Sequence, residues 1–479
     1  FEQIESLLMR VPKEISTGRT IVHIGLFGHV DHGKTKLAAC LTEKPSTAAL
    51  DKHPEAQRRG MTIDMGFSAF NLGNYLVTLV DLPGHYSLIK HVMAGANIID
   101  VGILVVAADE GPNAQTLEHL QILNALSIEK LVVAVNKMDL VNEQRLNQVK
   151  SEVQTLLSKT RFTHSPIVCV SAMKCEGMEE LRSTLLEQIT IPVRQWSGSL
   201  KIPIDHSFNI AGIGTVVTGT ILRGKVRVGD TVEIRPTGKQ CRVKLIQIFS
   251  ENTEEASAGD RVGIALADVR PKDLARGHVI VSPGSLKEKG LLDVKLHVER
   301  NFRFSVPVRS IVHVNIGLQT VTGKIYPYID LKDKKVLKEK VDPGTLCYAL
   351  IQLEKPVSVE VGDKALLMKL DLPPKQFRVI GLAEAVDLLE VAPEMYSAKV
   401  KLGFINQKAS EDRWVVSGLF QTKMAAQQVI GNNVLTASKI KGTIVSQHGE
   451  KGEVLVRFES PPKISEKVYY YRLRSAKIV

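Results

Sequence analysis

The eight residues GHVDHGKT, Gly28 to Thr35, restrict this chain more than any other stretch. They fit the spacing G-x-x-x-x-G-K-[ST], which needs a strand before it and a helix after it to become a phosphate cradle. Both neighbours are legible: IVHIGLF is an apolar, β-branched run, and TKLAACLTE carries helical character. In that setting the loop from Gly28 through His29, Val30, Asp31 and His32 to Gly33 turns its backbone N–H groups toward the β- and γ-phosphates of a nucleotide. Lys34 adds a point charge, and the Thr35 hydroxyl is placed to ligate Mg²⁺. His29 and His32 also have a metal-like spacing, but a loop wrapped around phosphates does not present both rings to one ion.

Four more elements follow in an order that specifies the nucleotide. Thr62, in RRGMTIDMG, is suited to give its hydroxyl to Mg²⁺ and its N–H to the γ-phosphate, in a segment ordered by GTP and loosened by GDP. Asp81 in DLPGH ends a strand, where it holds the ion through water, and the Gly84 N–H senses the γ-phosphate. NKMD follows the strand LVVAV and places Asp139 to accept two hydrogen bonds from guanine N1–H and its 2-amino group. Adenine lacks that donor pair, so the carboxylate selects GTP and GDP. Asn136 and Lys137 fix and cover the base, and SAMK, with Ser171, Ala172 and Met173, contacts its O6. His85, directly after Gly84, is the candidate catalytic residue that orients the attacking water; the bland alternative is an ordinary loop histidine. No arginine finger is identifiable within the chain.

The chain has 479 residues, room for three or four domains. From Ile21 to about Thr190, strand-like runs alternate with helical ones, the pattern of a parallel sheet wrapped by crossover helices. After the polar bridge RQWSGSLK come short β-branched strands broken by Gly, Pro and Asp, which predict β-barrels. The expected fold is therefore an α/β P-loop GTPase domain over 21–192, a β-barrel over 200–286, a second over 287–389, and a mostly β (α+β) domain over 390–479. Residues 1–20 resemble no element and, lacking an initial Met, read as a non-native extension or the start of a fragment.

Charge adds one constraint. The formal net charge is +11, and residues 391–479 hold 14 Lys and Arg against 7 Asp and Glu, so most of the surplus lies in the last segment. That implies a polyanionic partner there. No apolar run is long enough to cross a bilayer and no signal-peptide pattern begins the chain, so a cytoplasmic protein without a membrane partner is expected. Cys40, Cys169, Cys175, Cys241 and Cys347 form no C-x-x-C pair and predict free thiols and no structural zinc.

Together GHVDHGKT, RGMTID, DLPGH, NKMD and the stretch GIGTVVTGTILRGKVRVGD resemble the translational GTPases of the elongation factor Tu class, over Ile21 to about Leu389. Within that class the chain is most similar to the selenocysteine-specific elongation factors of archaeal and eukaryotic type. The short segment PSTAALDKHPEAQRRGMTIDMGFSAF has their character, and the module after Leu389 is absent from the general factor. Met61 departs from the general pattern, which carries Ile there. The resemblance implies a monomer that binds GTP and selenocysteyl-tRNA, delivers it to the ribosomal A site at recoded UGA codons, and hydrolyses GTP when the ribosome stimulates it.

It also implies that Asp205 and His206 in PIDHSF and Arg261 in AGDRVGIAL form the aminoacyl pocket. The chemistry agrees: a selenol is ionised at neutral pH, and choosing it over serine requires fixed positive charge. The same residues also suit barrel corners. In the last domain Lys439, Lys441, Lys451, Arg457, Arg472 and Arg474 lie among β-branched and aromatic residues, with Tyr469 to Tyr471 placed to stack on bases. They read as an RNA-binding tail for the messenger's recoding element, reached directly or through a SECIS-binding protein, against the alternative of a solvated charged face over core tyrosines. The competing assignments are a gamma-type initiation factor two subunit, which normally carries a zinc knuckle, a general aminoacyl-tRNA elongation factor, and a paralogue that has lost its cargo.

Overall fold

A computed structural model describes residues 20–42, 66–82, 99–125, 128–248, 251–331, 334–373 and 376–478. The α/β domain is a six-stranded sheet of β1 (Thr20–Phe27), β2 (Gly66–Leu72), β3 (Tyr75–Asp81), β4 (Val101–Ala107), β5 (Lys130–Asn136) and β6 (Ile167–Cys169), ordered β2-β3-β1-β4-β5-β6. Only β2, at the edge, runs antiparallel to its neighbour. The central strands are apolar on both faces because helices cover both: β4 is buried along its whole length. On one face α1 (Lys34–Thr42) and α4 (Met178–Gln188) insert Leu37, Leu41, Leu181 and Leu185 among Val22, Ile24 and Leu26. On the other, α2 (Ala114–Ala125) and α3 (Glu143–Leu157) bring Leu120, Leu123, Val149 and Val153. Asn142 caps α3 by accepting from the Arg145 N–H. The parallel order puts the ends of β1, β3 and β5 and the loop after β6 on one edge, where an open α/β sheet binds ligands.

The next strands close a six-stranded antiparallel barrel over Lys201–Ile210 to Val279–Val281, with Glu251–Thr253 paired onto the strand Lys239–Ile248, and Ile202, Val217, Ile234, Val243 and Ile264 fill it. A second β-structure is built on Lys287–Val298, paired with Leu346–Val359 and Val379–Leu389. Its Leu366, Met368 and Val379 join the α2–α3 core. Across this boundary Arg378 donates to Glu118 of α2 at 2.9 Å, both nine-tenths buried.

The basic terminal unit is not contiguous in sequence. It comprises Val391–Val479 together with Tyr326–Lys340. The strand Gln319–Leu331 runs beyond the barrel, turns back as Lys334–Leu337, and pairs in parallel with Met395–Ser397. Met395 to Phe404 then pairs with Lys467–Ala476, around a core of Ile405, Val416, Ile444, Val456 and Tyr470. A division at residue 390 misses this hairpin because its alternation does not differ from that of a barrel strand.

One cysteine expectation is corrected. Cys40, on α1, and Cys175, in the turn after SAMK, form a disulfide across a sequence separation of 135 residues. Cys169, Cys241 and Cys347 are free thiols. The pair has no motif spacing, since the sheet rather than the local chain brings α1 and the turn after β6 together.

Candidate functional site

At the end of β1 the chain turns at Gly28 with φ +134, where a Cβ would meet the Val105 carbonyl oxygen at 2.3 Å. Gly33 has φ +87, and its Cβ would meet Asn136 Nδ2 at 2.3 Å. Between them Asp31 takes the left-handed region. Lys34 is buried and donates to the carbonyls of Gly28 and His29 at 2.9 and 2.8 Å; burial lowers its pKa to about 8. Thr35 Oγ1 donates to Asp81 Oδ2 at 2.6 Å, while buried Asp81 Oδ1 has no hydrogen-bond partner. Burial pushes the Asp81 carboxyl up against the pull of Lys34. An orphaned carboxylate oxygen beside a hydroxyl, with an ammonium close by, is a hard-oxygen donor set that fits Mg²⁺ and an anionic ligand.

The NKMD turn is joined to this loop by Asn136, which donates to His32 O and accepts from Ala172 N, both at 2.9 Å. Ser171 Oγ donates to Asp139 Oδ1 at 2.6 Å and holds that carboxyl below the usual range. Lys137 adopts φ 62 and pairs with Asp109 at 3.2 Å, and Met173 is exposed at the mouth.

His29 meets Gln115 Oε1, and His32 directs Nδ1 to Val105 O at 3.2 Å. Burial lowers His32 to about 4, so the ring is neutral. Among the described residues no group of three or more His, Cys, Asp or Glu is arranged to hold a metal. Thr62, Gly84 and His85, with Met61, lie outside the described residues.

Sequence reasoning missed His119. Its Nδ1 accepts from the Gly28 N–H at 2.7 Å, and burial lowers its pKa to about 3, which keeps it an acceptor. It sits in an ordinary helical pattern, so nothing local marks it.

The second cluster forms where three barrel strands lie side by side. Asp205 and His206 are on Lys201–Ile210, and His206 is registered opposite Thr218. Arg261 begins the strand Arg261–Leu266 opposite Thr220. Arg261 Nη1 donates to Asp205 Oδ2 at 2.6 Å, His206 Nδ1 lies 3.1 Å from Asp205 Oδ1, and Thr218 Oγ1 donates to that same oxygen. Burial alone would push the Asp205 carboxyl up, but the Arg261 guanidinium and the His206 ring outweigh it and hold it far below the usual range. The three residues named from sequence are thus together.

The cluster is largely enclosed. The Arg261 side chain is 2% exposed and that of His206 28%. The cover is Phe67 of β2, whose ring centroid lies 3.4 Å from the guanidinium carbon. Nearby, His23 of β1 bonds Gly259 O at 2.9 Å, tying the sheet to the turn before Arg261. Phe67 and Thr218 carry no sequence signal.

The six basic tail residues are exposed but not all gathered. Lys441 and Arg472 line one groove of about 730 Å³ with Asn433, Tyr471 and Leu331. Arg472 is opposite Lys399, and Arg474 opposite Ser397, on the long ladder, so Lys399 and Lys401 belong to the same basic face. Arg457 is engaged by Asp412 at 2.8 Å, Lys439 occupies a turn with φ 67, and Lys451 lies in the turn before Glu453–Phe458. Tyr470 is core and accepts from Asn432, whereas Tyr471 is 48% exposed.

Residues 19–191 match the family model of the elongation factor Tu GTP binding domain, 214–281 that of elongation factor Tu domain 2, and 288–389 that of the archaeal selenocysteine-specific elongation factor, domain III. The chain is 42% identical over 463 residues to the selenocysteine-specific elongation factor of Methanocaldococcus jannaschii, covering 95% of this chain and 97% of that protein. It is 30% identical over 515 residues to the Mus musculus protein of the same name, covering 91% and 88%. Translation elongation factor SelB from Methanococcus maripaludis, solved with the GTP analogue GppNHp, matches with a TM-score of 0.83 at 33% identity over 96% of this chain and 100% of that one.

Proposed function

The chain belongs to the selenocysteine-specific elongation factors, GTPases of the elongation factor Tu class, and on that premise we propose that Asp205, His206 and Arg261 select the aminoacyl group it carries. It is a translation elongation factor that binds GTP, carries selenocysteyl-tRNA to the ribosome and hydrolyses GTP there. The observation that carries the pocket reading is the shared carboxylate: Asp205 orients both the Arg261 guanidinium and the His206 ring. A selenolate brought to that pair meets a fixed cation, joined by a second ring N–H when His206 is protonated, whereas a serine hydroxyl brings no charge to offset their desolvation.

In the nucleotide site, Lys34 and the backbone of Gly28–Gly33 are assigned to the phosphates, and Asn136, Lys137, Asp139 and Ser171 to the guanine. Thr35, Thr62 and, through water, Asp81 are assigned to Mg²⁺, which when bound neutralises charge on the β- and γ-phosphates. His85 is assigned to orient the attacking water. For the basic face of Lys399, Lys401, Lys441, Arg472 and Arg474 we propose RNA phosphates, with the recoding element of the messenger, or a protein bound to it, as the partner. No helix among the described residues is long and apolar enough to cross a membrane. A cytoplasmic, monomeric factor is our reading.

The cargo assignment is tested with the protein loaded with a non-hydrolysable GTP analogue, comparing protection of selenocysteyl- and seryl-esters on one tRNA body. Preference for the selenium ester is expected. Equal protection removes selective recognition.

A further inference from the structure

The Arg261 guanidinium has one committed donor and one stranded one. Nη1 is given to Asp205, whereas Nε is fully enclosed and has no hydrogen-bond partner. An enclosed N–H without an acceptor is costly, and the group over this guanidinium is an aromatic face, which attracts a cation but accepts hydrogen bonds poorly. Phe67 is 2% exposed and Arg261 3%, so the stack excludes water. An aminoacyl side chain approaching that guanidinium face therefore meets the ring. The ring and an anion cannot share it.

Phe67 also stands in a position to feel the nucleotide. It is on edge strand β2, next to Gly66, which is registered opposite Asp81, whose carboxylate takes the Thr35 hydroxyl. Arg261 is on another domain, so the stack is a joint between the sheet and the barrel, with His23 and Gly259 as a second tie.

We propose that Phe67 is a specificity-determining gate: its ring occupies the Arg261 face, is displaced by an anionic aminoacyl side chain, and rejects uncharged ones that cannot replace the cation–ring attraction. This rests on the pocket reading above. The gate filters by charge, since a selenolate offers the guanidinium a full negative charge and a hydroxyl does not. It also lowers apparent affinity for selenocysteyl-tRNA, the cargo that displaces the ring, by the fraction of molecules in which it is closed.

The test measures equilibrium affinity for selenocysteyl- and seryl-esters of one tRNA, with a GTP analogue and with GDP, on the full chain. Phe67→Leu keeps apolar bulk and loses the ring, and Phe67→Ala opens the site further; thermal midpoints confirm folding of each. Both are expected to tighten selenocysteyl-tRNA by about three- to tenfold in the GDP form and to narrow the gap between nucleotide states. In an Arg261→Ala background the same substitutions should have no effect. Weaker selenocysteyl-tRNA binding, equal shifts for both esters, or an undiminished effect without Arg261 overturns the gate. Unchanged ester preference in Arg261→Ala alone overturns the pocket reading instead.

Discussion

Asn136 donates to the His32 carbonyl at 2.9 Å, so the loop we assign to the guanine and the loop we assign to the phosphates are one hydrogen-bonded piece. The same side chain accepts from Ala172 N, which adds the third loop. Asn136→Ala strands a buried carbonyl and a buried N–H, each costing roughly 1–3 kcal/mol. Both stability and GDP affinity are expected to fall, by urea midpoint and by fluorescent-nucleotide titration. Loss of affinity with unchanged stability would show that Asn136 serves the ligand alone.

Gly33→Ala tests the shape of the turn. The added Cβ meets Asn136 Nδ2 at 2.3 Å in a backbone at φ +87, so either the turn or the tie to Asn136 gives way. Nucleotide affinity should drop at least about tenfold, equivalent to roughly 1.4 kcal/mol. Wild-type affinity would mean the loop relaxes freely.

The Glu118–Arg378 pair holds the second β-structure against α2. Arg378→Leu leaves a buried carboxylate with no cation and should destabilise by about 3–5 kcal/mol. The double replacement Glu118→Leu with Arg378→Leu should recover much of that loss. Chemical denaturation of both variants against the wild type decides it, and equal losses for the single and double variants would contradict pairing.

Acid should loosen the nucleotide domain through its buried rings. His23 and His32 are lowered to about 4, and His119 to about 3, chiefly by burial. Unfolded rings take up protons near pH 6.5. Unfolding therefore binds protons between about pH 6.5 and 4, and the rings' contribution to stability is lost as pH falls through that window. Asp81 and Glu118, whose carboxyls burial raises, act in the opposite sense, so the informative quantity is a difference. His119→Asn keeps an acceptor for the Gly28 N–H and removes one titrating ring. It should flatten the stability–pH slope by up to one proton, about 1.4 kcal/mol per pH unit. An unchanged slope in urea midpoints from pH 4 to 7.5 would refute a neutral buried His119.

In the terminal unit Lys441→Glu and Arg472→Glu, which share a groove, should weaken binding of a hairpin RNA and lower the slope of log affinity against log salt by roughly one unit per phosphate lost. Arg457→Glu, already neutralised by Asp412, should change it less. Equal effects would place the RNA elsewhere.

What could be read in the sequence was local. Lys34, Thr35, Asn136 and Asp139 stand within short motifs fixed to strand ends, so spacing alone located them. Asp205, His206 and Arg261 were named through resemblance, and the sheet register brought them together. Phe67, His119, the Cys40–Cys175 bond and the hairpin at Tyr326–Lys340 depend on chain segments distant in sequence. Nothing about an apolar residue in GFSAF says that a cation lies beneath it.

The hairpin matters for anyone dissecting the molecule. A fragment cut at Val391 would be born without the strand that pairs with Met395–Ser397, and would carry a bare edge ready to recruit another copy. A truncation ending at Leu389 would leave the excised partner's hairpin dangling. To isolate the tail intact, Tyr326–Lys340 must be grafted back onto it through a new linker.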